Sequence, residues 1–369
     1  MVIGRKHLAA LVLGAALVGW VIPWSGVIGI SASTGHWKLT DWFLHWAMRS
    51  SVRTSAIGIE VPPLEEGMLP MAAGHFEGGC ALCHGSPAMP PPASVRGMLP
   101  VPPDLKEVIP TWTDAELFQI VQHGVRFTGM PSWPVAERED EVWAMVAFLR
   151  RYPDLDGASY RRLAGHAAHQ SRDQGRVLET CNGCHAPDRL DRDSLVPRLD
   201  GQSQTYLRDS LAAYAEGMRP SGIMAVAIQS LTEQERAALA VHFSERTVRG
   251  VNAVALSNQT GRGEHIARFG DLDRRIPACM SCHDRTNGNP AYPRLAGQPA
   301  AYLAAQLRLF VDEKRGGGPH RALMAKVAAN LDDSDIKAVA EYFSARDPSA
   351  DAGPDHIVPA SVGFSSRGR

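Results

Sequence analysis

The sequence predicts an all-α protein: three small helical domains in a row behind a single N-terminal membrane-spanning helix. Three observations predict it. A charge-free apolar run opens the chain, helix-start and helix-face patterns recur without any alternation strong enough to demand a strand, and one cysteine–histidine motif appears three times at domain spacing. The 369 residues suffice for two or three domains with separate cores. A formal net charge of -1 and the absence of a basic stripe argue against a nucleic-acid binder.

Residues 8–30, LAALVLGAALVGWVIPWSGVIGI, carry no charge over a length that can cross a bilayer, and Arg5 and Lys6 stand just before them. The positive-inside rule then puts the bulk of the chain outside the cytoplasm. The competing reading is a cleaved signal peptide, whose only small-residue site would be Ser31-Ala32-Ser33. Residues 1–35 are read as an uncleaved anchor in a bacterial inner membrane, with the remainder in the periplasm. In either case the cysteines meet oxidising surroundings. The juxtamembrane segment, 36–65, contains DWFLHWAMRSSVR, where Trp42, Phe43 and Trp46 precede Arg49 and Arg53. This pattern suits an interfacial helix on the membrane face or a helix packed on the first domain.

Comparing the chain with itself matches VPRLDGQSQTYL from Val196 with YPRLAGQPAAYL from Tyr292, each followed by a methionine and a helix ending in Phe-Ser. The period is that of a domain, too long for a solenoid repeat. The first unit repeats the plan more distantly. Turn-forming or polar stretches place the units at 66–155, 156–250 and 251–348, with a mobile tail at 349–369. Thr113 with Glu116, and Thr232 with Glu235, have capping-box spacing. Val142, Met145, Val146 and Leu149 share one helical face, as do Ile336, Val339, Ala340 and Phe343.

The motif is C-x-x-C-H: Cys80, Cys83 and His84; Cys181, Cys184 and His185; Cys279, Cys282 and His283. These copies use every cysteine. The pattern admits a redox pair, half of a zinc site or covalent attachment of c-type haem. A thioredoxin-like motif would need a βαβ setting, and zinc normally requires four ligands where each unit supplies two thiols and this histidine. Haem accounts for the spacing, because positions three apart on a helical turn share a face and both sulfurs can reach the porphyrin vinyl groups. The adjacent histidine can then approach the iron.

On these motifs each unit resembles a class I cytochrome c domain, and the second and third together resemble a dihaem cytochrome of the c4 type, over roughly residues 70 to 345. The resemblance implies three covalently bound haem c groups with His84, His185 and His283 as proximal ligands. It also implies that Pro103, Pro197 and Pro293 of the recurring Pro-x-Leu present their carbonyls to the other ring nitrogen. A sixth ligand from a methionine loop before the last helix maps to Met130 in FTGMPSWP, and to Met224 and Met324, each seven residues before Leu231 and Leu331. Met98 competes with Met130 and Met218 with Met224, as core-filling methionines would. His123 sits late in a predicted helix instead of in the methionine loop. Gly74 and Gly175 stand six residues before their motifs, where the family's first and last helices cross closely. Asp273 holds that place in the third unit, whose first helix is expected to start earlier, around Gly263, and to end near Pro277.

Histidine–methionine ligation leaves no open iron position and suits electron transfer over catalysis. The expected function is a membrane-anchored periplasmic trihaem carrier relaying electrons from a quinol-oxidising complex or periplasmic donor toward a terminal oxidase. The alternative is the cytochrome subunit of a membrane-bound flavin or quinoprotein dehydrogenase. A peroxidase would need one of the three methionines displaceable, and a structural zinc module is the remaining alternative.

Overall fold

In the computed structural model, residues 4–26, 35, 37–165, 174–248, 260–283 and 288–348 are described. The tail at 349–369 and the Ser31-Ala32-Ser33 site lie outside the described residues. Among the described residues the chain is helical, with two isolated β-bridges, Ser86 to Met89 and Asp271 to Ile276, and no strand. Helix α1, Arg5–Trp24, is apolar and buries none of its 20 residues. At 1.5 Å per residue it spans about 30 Å, the thickness of a bilayer's hydrocarbon layer.

Helix α2, Lys38–Ser55, packs on the first unit: Met48 and Val52 join that core and the Arg49 guanidinium lies 4.1 Å from the Trp112 ring centre. Trp42, Phe43 and Trp46 remain exposed on it.

The first core forms where α3, Leu69–Gly79, meets α6, Glu139–Arg151. Ala72, Ala73 and Ala144 are fully buried, which lets the two backbones approach, and Phe76 packs on Phe148 at 5.2 Å. Between them runs a one-turn helix α4, Ala81–His84, and then α5, Asp114–His123. Thr113 and Glu116 form the expected capping box, and Phe118 stacks on Trp143 at 4.4 Å. The predicted face of α6 is buried throughout. Helix α7, Gly157–Ala164, also belongs to this core: Tyr160 and Ala164 are buried in it and the Tyr160 hydroxyl donates to Glu77. Helix α7, which follows the expected boundary at 155 in sequence, thus packs back on the first core.

The second unit comprises α8, Gln174–His185; α9, Gln204–Ala215; α10, Gly222–Ile228; and α11, Glu233–Glu245, around Leu207, Leu239, Ala240 and Phe243. Thr232 and Glu235 cap α11 reciprocally, as expected. The third comprises α12, Thr260–Phe269; α13, Met280–His283; α14, Ala300–Val311; α15, Arg321–Ala328; and α16, Asp333–Ala345. Asp332 and Asp335 cap α16 with two carboxylates in place of the Thr–Glu pair of the other two boxes. Asp335 is fully buried and pairs with Arg262 and with Arg274 at 2.7 Å.

The glycine expectation divides between units. A Cβ at Gly263 would lie 2.1 Å from the Ala338 carbonyl oxygen, so Gly263 does make the close crossing of first and last helices in the third unit. Helix α12 ends at Phe269, ahead of the bridge between Asp271 and Ile276 and well short of Pro277. At Gly74 a Cβ would instead meet Cys184 Sγ at 2.7 Å. Gly74 thus admits the second unit's cysteine motif against the first unit, and Ala72, Ala73 and Ala144 supply the close crossing. The surroundings of Gly175 lie outside the described residues.

Two predictions follow from this packing. Gly263→Ala forces α12 off α16 and destabilises the third unit by about 1–3 kcal/mol, the usual cost of overpacking, read as a lowered unfolding midpoint. His75 is buried against Trp133 at 4.8 Å, and burial holds its pKa down at about 4. Unfolded, it takes up a proton below about 6.5, so its contribution is complete above that pH and is lost as the pH falls from about 6.5 to about 4, by roughly 3 kcal/mol. Urea midpoints at pH 7 and pH 5 should converge in His75→Phe relative to the unsubstituted chain.

Candidate haem sites

Each cysteine pair lies on a helical turn. Cys80 closes α3, with Cys83 and His84 on α4; Cys181, Cys184 and His185 end α8; Cys279 precedes α13, which carries Cys282 and His283. The N–H groups of Cys83 and His84 both donate to the Cys80 carbonyl, and those of Cys282 and His283 to that of Cys279. All six cysteines are free and half-buried. Burial pushes the Cys80 thiol up to about 12 and those of Cys181 and Cys279 to about 11. A redox dithiol needs a depressed thiol pKa. Among the described residues no group of three or more His, Cys, Asp or Glu side chains is placed to hold a metal by itself. Neutral sulfur in a thioether suits these surroundings better than a thiolate.

The three histidines are held alike. His84 Nδ1 lies 3.5 Å from the Pro103 carbonyl, His185 Nδ1 2.9 Å from that of Pro197, and His283 Nδ1 2.8 Å from that of Pro293. A carbonyl only accepts, so Nδ1 carries the proton and Nε2 keeps its lone pair. Burial lowers the pKa of all three, keeping the rings neutral as a metal ligand must be.

Met130, Met224 and Met324 are half-buried, whereas Met98 and Met218 are 37 % and 51 % exposed and His123 is exposed. Met130 lies in the expected loop, its N–H donating to Thr128 Oγ1 and its carbonyl accepting from Val125. Gly124, at φ +65°, allows this: a Cβ there would meet the Met130 and Pro131 backbone at 2.5–2.6 Å. Met224 and Met324 differ from the loop expectation, because each lies on a short helix, α10 and α15.

Polar groups sequence reasoning did not single out surround these positions. Gln298 accepts from the Arg198 N–H at 2.9 Å and donates to its carbonyl at 2.8 Å; Gln202 does the same to Arg294 at 2.9 and 2.8 Å. Arg198 and Arg294 directly follow the two prolines, so each unit's glutamine clasps the backbone beside the other's histidine. The signal was in the repeat, since both glutamines lie in PRL-x-GQ. Nearby, Arg219 and Arg315 are buried, and Arg219 Nη2 donates to the Tyr302 hydroxyl and Gln306. Burial and the adjacent Arg219 hold the Arg315 guanidinium below its ordinary value. Among the described residues the hydrogen-bond partners of both are neutral, Tyr302 and Gln306 for Arg219 and Gln306 and the Gly316 carbonyl for Arg315, and Arg198 Nη1 is buried with no hydrogen bond. Buried cations without counter-charge are costly, so this donor set fits acidic substituents such as haem propionates.

At the other face of the second unit, Glu141 of α6 is buried and accepts from the Ser221 hydroxyl at 2.5 Å and the Gly222 N–H at 2.7 Å. Trp133 Nε1 donates to it at 3.3 Å, and Arg138, which also donates to the Pro220 carbonyl, pairs with it at 3.1 Å.

Comparison with known proteins matches two segments of the chain to family models. Residues 70–149 match the model described as cytochrome C oxidase, cbb3-type, subunit III, and residues 276–345 the model described as cytochrome c. The chain is 32% identical to a thiosulfate dehydrogenase electron acceptor of Thiomonas intermedia, over 45% of this chain and 78% of that protein. It is 30% identical to cytochrome c4 of Azotobacter vinelandii, over 49% of this chain and 90% of the relative. The chain belongs to the cytochrome c family. A solved structure of reduced recombinant cytochrome c4 from Pseudomonas stutzeri aligns at 31% identity and TM-score 0.40, covering 47% of this chain and 96% of that one. As a cytochrome c, the protein carries covalent haem c and works in electron transfer.

If Met224 is the sixth ligand at one of three equivalent centres, Met224→Ala should remove about one third of the weak band at the red end of the ferric spectrum that reports sulfur ligation. Met218→Ala should leave the band intact. The reverse result would transfer the ligand role to Met218.

Proposed function

We propose that the protein is a membrane-anchored, periplasm-facing trihaem cytochrome c that relays electrons along its three units toward a terminal oxidase. The observation that carries this reading is the threefold recurrence of one arrangement in a single chain: a helical-turn cysteine pair followed by a histidine whose Nδ1 faces a proline carbonyl. In this reading the units are 66–155, 156–250 and 251–348. The axial pairs are His84 with Met130, His185 with Met224, and His283 with Met324. Haem bound there supplies one-electron exchange at iron with both axial positions filled. The chain's own part is to hold each histidine neutral and oriented, to place each methionine at a half-buried position and to fix neighbouring units so that the distances between centres are constant.

Helix α1 supports the anchor, and the exposed Trp42, Phe43 and Trp46 on α2 suit the membrane–water boundary beside it. The match of the first unit to a model described as a cbb3-type oxidase subunit supports an oxidase as the neighbour. The likeness to thiosulfate dehydrogenase electron acceptors supports a second reading, a cytochrome subunit serving a periplasmic or membrane-bound dehydrogenase.

Purification of the tagged full chain from its own membranes in mild detergent, with mass spectrometry of co-purifying chains, separates the two. Oxidase or quinol-oxidising-complex subunits are expected. Recovery with a dehydrogenase instead moves the assignment to the second reading, and fewer than three haems per chain by the alkaline pyridine assay overturns the trihaem relay itself.

A further inference from the structure

The second and third units repeat in sequence, yet their methionine helices are held in different ways. Met224 and Met324 stand in equal register before the last helix of each unit. Ahead of α15 the N-cap residue His320 makes no side-chain cap, and Leu323, which precedes Met324, is 49 % exposed. On α10 the corresponding Ile223 packs into the first unit's core, and the backbone ahead of Met224 is bound by a side chain from that unit.

That side chain is Glu141. Its two oxygens receive the Ser221 hydroxyl, the Gly222 N–H, the Trp133 indole N–H and the Arg138 guanidinium, with the Ile223 N–H at 3.4 Å. The two backbone N–H groups, the indole N–H and the guanidinium can only donate, so the site calls for an acceptor on both oxygens, and the Ser221 hydroxyl donates to it as well. Ser221 in turn accepts from the Met224 N–H at 3.1 Å. Glu141 is therefore one hydroxyl removed from the Met224 backbone. Gly222 is required for the contact, because a Cβ there would lie 2.5 Å from Trp133 Nε1. Trp133 itself is three residues after Met130. The junction thus joins the methionine segment of the first unit to that of the second.

We infer that Glu141 is a positioning residue for the second haem site, supplied by the first unit, and that the first unit completes the Met224 side of that site. The inference rests on reading Met224 as the sixth ligand there. Removing the carboxylate leaves the Ser221 hydroxyl and the Gly222 N–H buried without an acceptor, and α10 shifts to find others, moving Met224 with it.

The test uses the purified full-length holoprotein, reading the sulfur-ligation band and the three midpoint potentials by spectroelectrochemical titration. Glu141→Gln places an N–H₂ among partners of which all but the Ser221 hydroxyl can only donate, and Ser221→Ala interrupts the same path more mildly while keeping the carboxylate. Both are expected to change the component that Met224→Ala changes, with loss of up to about one third of the band if three centres contribute equally, and to leave the other two components in place. Glu141→Gln added to Met224→Ala is expected to change that component no further. An unchanged band and three unchanged potentials in both variants overturn the inference, as does a change confined to a component that Met224→Ala spares. If Met224→Ala itself alters no component while the haem count stays at three, the ligand reading fails and the inference falls with it, separately from the relay.

Discussion

One hydrogen bond organises each unit, from a histidine Nδ1–H to a proline carbonyl. Its chemistry is one-directional: the carbonyl cannot donate, so the proton is fixed on Nδ1 and the lone pair on Nε2 faces away from the bond. Proline suits the acceptor position because its ring fixes φ and leaves no N–H of its own to satisfy. The residue after each proline is then immobilised. In the first unit Asp104 does this locally, its carboxylate accepting from the Lys106 N–H at 2.9 Å to start the next helical turn. In the other two, Arg198 and Arg294 are held by a glutamine from the neighbouring unit. The bond is longer in the first unit, 3.5 Å against 2.9 and 2.8 Å, where no neighbour reinforces it.

The glutamine exchange matches the repeat, because the residues that make it stand at equivalent positions of the second and third units. Gln202 and Gln298 each clasp the other unit's arginine backbone through the same pair of hydrogen bonds, so the contact is the same on both sides. The first unit meets the second through unlike surfaces, with Gly74 against Cys184 and Glu141 against Ser221, and nothing there requires likeness.

Much of this was legible in the chain alone. The cysteine–histidine triplets, the capping boxes at Thr113 and Thr232 and the buried faces of α6 and α16 depend on local spacing, which sequence displays directly. Three features were not. Gly74 looked like a helix-crossing glycine, but its small size serves a sulfur more than a hundred residues away, and no local pattern encodes the partner of a close approach. The turn residues near 155 say nothing of where the next helix packs, and the aromatic contact of Tyr160 with Phe76 sets that helix against the first core. Glu141 sits in a run of acidic residues at the start of α6, where a carboxylate is unremarkable beside the helix dipole. Only the fold shows that it points into another unit.

The two interfaces give the second unit a place that composition does not. The third unit grips it at the proline that orients His185, and the first grips it at the segment leading to Met224. If those residues are the axial pair, both sides of the middle haem are set by neighbours, and its potential depends on contacts neither terminal unit needs for its own fold. A relay of freely linked domains would have no reason for such contacts, because flexible tethers already keep the centres near one another. Buried polar groups that bond across both junctions instead hold the units at constant separation, which is what electron transfer between centres in neighbouring units would require of the scaffold.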